Sequence, residues 1–362
     1  MGASVAAALV KLGKTVVVLD AGKRGHDAGS SHGHARVMRT LSSEARIFPE
    51  TAEASLKMMQ RMETKAGQIV RKMPAMFIMK TDSRGYRDLR SASVEELTAV
   101  RVRTKYGFHM ASDEVGLVDN GAAVFDPDMV LKRFYEVIGN AGEPVRFNCQ
   151  VVKWRHDADS VTVTTGNHAS LHAKQLVMAT GGWTPELVRL GDLDPDVAHS
   201  LGDSMSLLRV PVYFFRYPAD MPDVIPITLF SNGEIDMYAM PEYRPGGRKL
   251  LKVGFHRGDR IEHPSSVDPT GEDEKRHAKR YMEDRLSRKL GPCNATVCLY
   301  AKTKSDLPLV GRVPKTKNVF VSTYGGGNCA KHAPALGDAL SYLMQSPHDL
   351  SEFSPLLALD RP

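Results

Sequence analysis

The stretch that decides the fold is residues 1–22, MGASVAAALVKLGKTVVVLDAG. Ala6 to Leu12 consists of helix-forming residues, Gly13 stops the helix, and Thr15 to Leu19 is a continuous apolar and β-branched run that ends on Asp20. Such a run marks a buried parallel strand, because a strand covered on both faces has no polar side to alternate with. A helix leading into a parallel strand forms the back part of a βαβ unit. In the dinucleotide-binding form of that unit the last glycine of G-x-G-x-x-G opens the helix, and an acid about 20 residues on takes the ribose hydroxyls. Gly2 and Asp20, 18 positions apart, stand in those two places. The first strand and the G-x-G would precede Met1, so the chain is expected to be a truncated or mis-started version of a longer protein. Taken alone, this stretch leaves open a simpler reading in which Asp20 merely ends a strand.

Outward from this unit, helix and strand signals alternate without repeats. Leu56, Met59, Met62, Ala66 and Ile69 recur at helical spacing, and a strand-like MFIMKT follows Pro74. Asp126 and Pro127 form the cap and first turn of a helix carrying Val130, Leu131, Phe134 and Val137 to a stop at Gly139. Two short strands follow, QVVKW and SVTVT, then KQLVMATGGW, a buried strand that empties into glycines. KNVFVSTYGGGN repeats that exit before a final helix from about Pro334 to Leu343. Strands that end in glycine and feed helices predict an open parallel sheet with ligand at the carboxyl ends of its strands.

Composition bounds the function. The chain has 362 residues, of which 42% are hydrophobic and 25% charged, as in an ordinary soluble protein of about two domains. Its 48 basic and 42 acidic residues give +6 but are interspersed, as in EDEKRHAKRYMEDRLSRK, a solvated helix face with Tyr281, Leu286 and Leu290 turned inward. That pattern argues against nucleic-acid binding and fits anionic small substrates. Cys149, Cys293, Cys298 and Cys329 make neither a disulfide framework nor a metal site. No membrane-spanning run, secretory signal or peroxisomal C-terminal tripeptide is present, which leaves a cytoplasmic or peroxisomal location.

Later stretches point to one family. SSHGHARVMRT, LLKVGFH, ATVCLYAKT and YGGGNCAKH, with EVGLVDNGAAVF and VMATGGWTPELV, occur in the order and spacing found in monomeric sarcosine oxidase and peroxisomal sarcosine and pipecolate oxidases. These are FAD enzymes of the D-amino-acid oxidase superfamily. The chain resembles that family over nearly its whole length, least between Asp192 and Phe230. The resemblance implies an α/β fold, with a Rossmann-like FAD-binding domain (residues 1–75, 140–205 and 291–362) and an interleaved α+β substrate domain (76–139 and 206–290) on a mixed or antiparallel sheet.

It also implies the site. Cys298 matches the cysteine bonded covalently to the flavin, with Tyr300, Lys302 and Thr303 flanking it. Arg36 and Arg39, three apart, can share one side of a helical turn; by resemblance Arg36 lies near the flavin, while Arg39 forks onto the substrate carboxylate with Lys331. Lys252, set by alternation opposite Leu251 and Val253, matches the lysine whose fixed charge promotes reaction with oxygen. Tyr238 and His256 match side chains around the substrate amine. Gly2, Asp20, Ser30, Gly181, Trp183, Gly325, Gly326, Gly327 and Lys331 complete the implied cofactor contacts. The chain departs from the family pattern at Ala35, where the family has Thr or Ser, at Asn328, where it has a histidine, and at Tyr324 and Cys329, where a side chain in place of glycine can clash with a ligand. The implied activity is oxidation of the C–N bond of a secondary amino acid by a monomeric enzyme, with FAD as cofactor and oxygen reduced to hydrogen peroxide. The alternative is a truncated or non-catalytic homologue with impaired FAD binding.

Overall fold

Helix Gly2–Lys11 opens the chain and buries Ala3 to Leu9. Gly13, at φ +72°, lets the chain turn out of it. The apolar run that follows is shorter as a strand than its sequence predicts. Only Val18–Leu19 pairs, in parallel with Val145–Arg146, and Val17 is 43% exposed. This strand has a ladder on one side; residues 15–20 otherwise border a cavity. The computed structural model describes residues 1–33, 35–41, 47–64, 67–90, 94–222, 225–231, 236–243, 249–304, 307–323 and 326–345.

Across that cavity lies a second parallel pair, Leu176–Met178 with Val319–Thr323, extended by antiparallel Leu309–Arg312. As the sequence predicts, Leu176–Met178 leads into the glycine turn Gly181–Trp183, and Val319–Thr323 leads by way of Gly326 and Gly327 into a helix. That helix is Cys329–Leu343 and begins five residues before Pro334, which sits inside it. A proline there removes one helical donor and crowds the preceding turn. Neighbouring helices take up the disturbed groups: Ser4 Oγ donates to the Ala333 carbonyl at 2.8 Å, and the Ala335 N–H donates to Ser55 Oγ at 3.1 Å. The approach is close because residue 337 is glycine; a Cβ there would stand 2.2 Å from Ser4 Oγ.

The second predicted helix is Ile47–Arg61, and it does not continue to Ile69. Glu63 instead accepts from the N–H groups of Ile69 (2.9 Å) and Val70 (2.7 Å), which turns the chain into strand Val70–Lys72; Ala66 lies outside the described residues. Helix Pro127–Asn140 starts as predicted, with the Asp126 carboxylate accepting from Asp128 and Met129 N–H. The two short strands pair antiparallel as Val151–His156 and Val161–Thr165.

Among the described residues, Arg36–Met38, Ala123–Phe125 and Val70–Lys72 make a small antiparallel sheet, and nine other strands form a mixed sheet, antiparallel except where Ala75–Lys80 meets Ile227–Ser231. At its middle run Met205–Arg216, Lys249–Phe255 and Asp236–Tyr243, and Cys293–Thr303 pairs along Met205–Arg216. The charged helix Glu272–Leu286 packs Ala278, Met282 and Leu286 on this sheet, with Tyr281 and the following Leu290 against the same core. The fold is thus α/β with parallel pairs beside a mixed sheet. Among the described residues no helix is long and apolar enough to cross a membrane.

Candidate active site

The cavity between the two parallel pairs measures about 1950 Å³, and Gly2, Asp20, Ser30, Gly181, Trp183 and Gly326 all border it. That exceeds the ~300–1,000 Å³ of ordinary small-ligand pockets. Gly2 opens a helix whose first backbone N–H groups have no partner in the preceding turn, an arrangement suited to phosphate. The Asp20 carboxylate accepts from Gly22 N–H at 2.8 Å and faces His26 Nε2 at 3.3 Å. The Ser30 hydroxyl donates to the Leu299 carbonyl. Ser322 and Thr323 also line the cavity, and their buried hydroxyls have no hydrogen-bond partner among the described residues. Orphaned hydroxyls, a helix N-terminus, an acid and glycine turns in one large cavity are the donor and acceptor set a dinucleotide takes, so the residues present fit FAD. Gly325 and Tyr324 lie outside the described residues.

Strand Cys293–Thr303 forms part of the wall. Leu299 and Ala301 border the cavity, whereas Cys298 lies on the other face, buried with Val210 and Val212 and beside Tyr300. On that face a second cluster assembles. Lys252, 3% exposed, donates from Nζ to the Ala35 carbonyl at 2.8 Å and stands 3.7 Å from Glu242 Oε2. Burial pulls its pKa down to about 8, helped by the Arg36 charge and opposed by Glu242. Arg36 wraps back onto the loop before it, donating to the carbonyls of Ala35 (3.0 Å), Ser30 (3.3 Å) and His32. Ala35, a departure from the family pattern, therefore contributes its carbonyl to both cations.

The predicted helical turn around the two arginines is absent. Arg36–Met38 is a strand, paired antiparallel with Ala123–Phe125. In a strand, positions three apart point to opposite faces, so the guanidinium groups diverge. Arg39 goes the other way, its guanidinium 5.8 Å from the centre of the Phe77 ring. Both arginines still border one region: Arg36 acts on Lys252, Tyr238 and Tyr300, while Arg39 acts with Lys331 on His256 and His332.

The His256 side chain is exposed at the surface yet closely surrounded by protein; that surrounding holds its imidazole down at about 4, reinforced by the Arg39 and Lys331 charges and opposed by Asp236, so the ring is neutral at physiological pH. Its ring centre is 5.4 Å from that of Tyr238. Tyr238 lies directly across from Gly254, where a Cβ would come within 2.5 Å of its ring carbon and hydroxyl. Burial raises the Tyr238 phenol well above its ordinary value, so it keeps its proton. Lys331, 7% exposed on helix Cys329–Leu343, donates to Asn328 Oδ1 at 2.5 Å. Asn328, another departure, thus anchors this lysine. Cys329 borders the cavity, and burial raises its thiol.

Sequence reasoning did not single out Glu242 or His332 as part of the site, and it placed Tyr300 only as a flank of Cys298. His332 contacts Thr51 Oγ1 through Nδ1 at 2.8 Å, and burial pushes its pKa well down. Tyr300 lies on the Gly327 backbone, where a Cβ would be 2.4 Å from its ring, and its phenol is likewise raised by burial.

Comparison with known proteins places this geometry in a family. The profile of FAD dependent oxidoreductases (DAO) matches residues 1–343. Monomeric sarcosine oxidase of Streptomyces avermitilis is 24% identical over 377 residues, covering 98% of this chain and 94% of that protein. Peroxisomal sarcosine oxidase of Homo sapiens is 26% identical over 369 residues, covering 95% and 90%. The solved structure of NikD, an unusual amino acid oxidase essential for nikkomycin biosynthesis, superposes with a TM-score of 0.82 at 18% identity, over 98% of this chain and 94% of that one. A cavity built for a dinucleotide, and a family match running from its first helix to the end of its last described one, make this chain a member of the FAD dependent oxidoreductase family.

Proposed function

We propose that this protein oxidises the C–N bond of a secondary amino acid of the sarcosine, pipecolate or N-alkyl amino acid type and passes the electrons to oxygen, releasing hydrogen peroxide. The observation that carries this reading is the convergence of Arg39 and Lys331 on a neutral His256 beside Tyr238. Two cations in a partly dehydrated region call for a carboxylate, and a neutral imidazole next to them accepts from an amine N–H without adding a third positive charge.

Gly2, Asp20, Ser30, Gly181, Trp183 and the glycines 325–327 would hold FAD, with Arg36 and Lys331 at its reactive end. Bound there, FAD supplies the two-electron acceptor and the route of electrons to oxygen. The chain's own residues then bind, orient and balance charge. Arg39 and Lys331 fix the carboxylate, His256 Nε2 or Nδ1 and the protonated Tyr238 hydroxyl set the amine, and the buried Lys252 ammonium stabilises negative charge as oxygen is reduced. Covalent attachment through Cys298 belongs to the same reading; it rests on the family resemblance of ATVCLYAKT, and the thiol faces the Lys252 side of its strand. So do the two interleaved domains, a monomeric state and a cytoplasmic or peroxisomal location.

The test is anaerobic mixing of the flavin-loaded protein with sarcosine, L-pipecolate, N-methyl-L-tryptophan and glycine. Secondary amino acids should bleach the flavin, and readmitted oxygen should restore it with one equivalent of peroxide. A flavin that no secondary amino acid bleaches refutes the proposal.

A further inference from the structure

We propose that Glu242 is a positioning residue for Lys252, its buried carboxylate acting as the counter-charge that fixes the ammonium against the Ala35 carbonyl. The inference rests on the reading above in taking Lys252 as the working cation, but it concerns a contact internal to this chain.

The geometry is specific. Directly across the ladder from Lys252 stands Met240, so Glu242 is the diagonal neighbour two residues along and on the same face. Both side chains are nearly sealed from solvent, Glu242 at 1% and Lys252 at 3% exposed. Among the described residues, the Tyr238 phenol, the other diagonal neighbour on this strand, keeps its proton, and the other groups that act on Lys252 come from different elements. Arg36, from strand Arg36–Met38, shares the Ala35 carbonyl and repels it; Cys298 faces it from strand Cys293–Thr303; His32 lies within electrostatic range in the loop before Arg36. The Phe214 ring, 5.8 Å away on Met205–Arg216, is uncharged. Among these, Glu242 supplies the carboxylate. A lysine buried beside an arginine loses its proton readily, and an uncharged Lys252 has no fixed charge to offer. Glu242 opposes that loss, and its contact with Nζ sets the direction in which the ammonium points.

The experiment follows the protonation of Lys252 without turnover. In protein labelled with ¹³Cε-lysine, the Lys252 signal is assigned by its disappearance in Lys252→Met and titrated with pH. The midpoint in the parent chain should lie near pH 8. In Glu242→Gln, which keeps the side-chain shape, it should fall by about one pH unit or more, a tenfold change in proton affinity. The pH profile of flavin reoxidation should fall with it. An unmoved midpoint overturns the proposal. A midpoint that falls while the reoxidation profile stays put supports Glu242 as positioning residue and instead removes Lys252 from the oxygen step. Should Glu242→Gln fold poorly, the double variant with Lys252→Met should recover thermal stability, because no buried cation is then left alone; additive losses in the two variants would overturn the pairing.

Discussion

Lys252→Met separates the two halves of the proposed reaction. Lowering the Lys252 pKa from the ordinary 10.5 to about 8 means that its folded environment disfavours the ammonium by about 3 kcal/mol. Because the folded value is below the unfolded one, this penalty is present in full below pH 8 and is relieved as pH rises towards 10.5. Methionine removes that penalty together with the attraction to Glu242, which the figure of about 3 kcal/mol already contains. The substitution should therefore leave the ~5–15 kcal/mol typical of a folded domain largely intact. The protein should therefore fold and load flavin, and the kinetic consequence can be read cleanly. Removing one preorganised charge costs about 10²–10³ in rate at the step it serves. In stopped flow, anaerobic reduction by substrate should change by less than threefold, while reoxidation by oxygen should slow by about 100-fold or more. In the parent chain reoxidation should also decline as pH rises through about 8, and in Lys252→Met that decline should vanish. Equal slowing of both steps would refute the assignment and leave Lys252 a structural lysine.

Three further outcomes are expected. Cys298→Ala should release all yellow colour to the supernatant after acid precipitation, while the parent polypeptide keeps it; colour retained by the variant would exclude this cysteine as the attachment point. Arg39→Ala should weaken binding of carboxylate-bearing amines by about 1.5–3 kcal/mol, as measured by titration of flavin absorbance, and spare amines without a carboxylate; unchanged affinity for pipecolate or sarcosine would move the carboxylate site elsewhere. Gly254→Ala should push a methyl into the half-buried Tyr238 ring and lower stability by about 1–3 kcal/mol in thermal melts, and Tyr238→Ala in the same chain should restore part of the loss. A neutral Gly254→Ala would mean that the ring has room to move.

The sequence carried the elements whose signal is local. Asp126 before Pro127 marked a helix start to the residue, and alternation in LLKVGF put Lys252 opposite Leu251 and Val253, all three of them buried in the sheet. Signals that depend on a neighbour were lost. Arg36 and Arg39 sit at a spacing compatible with a helix, and only pairing with Ala123–Phe125 makes that segment a strand. Pro334 looks like a helix start until Ser4 and Ser55, hundreds of residues away in the chain, are seen to satisfy the backbone around it. Glu242 was invisible for the same reason: register between adjacent strands is set by packing and turns, so no spacing within one strand announces its diagonal partner on the next. Family resemblance supplied the arginines, the lysines and Cys298, but not this acid.

The contact at Gly337 reaches further than packing. Lys331 and Gly337 lie on one helix, about 9 Å apart along its axis. Gly337 seats that helix on Ser4, two residues from the Gly2 that borders the dinucleotide cavity. If Gly2 meets the cofactor phosphate and Lys331 the substrate carboxylate, as proposed, a tilt of this helix moves both contacts together. On that proposal cofactor and amino acid would be coupled ligands in the thermodynamic sense, each changing the other's affinity by the same factor. The flavin-free protein should hold its amino acid weakly, and an unreactive carboxylate that mimics the substrate should slow the loss of flavin from any chain in which it is not covalently held.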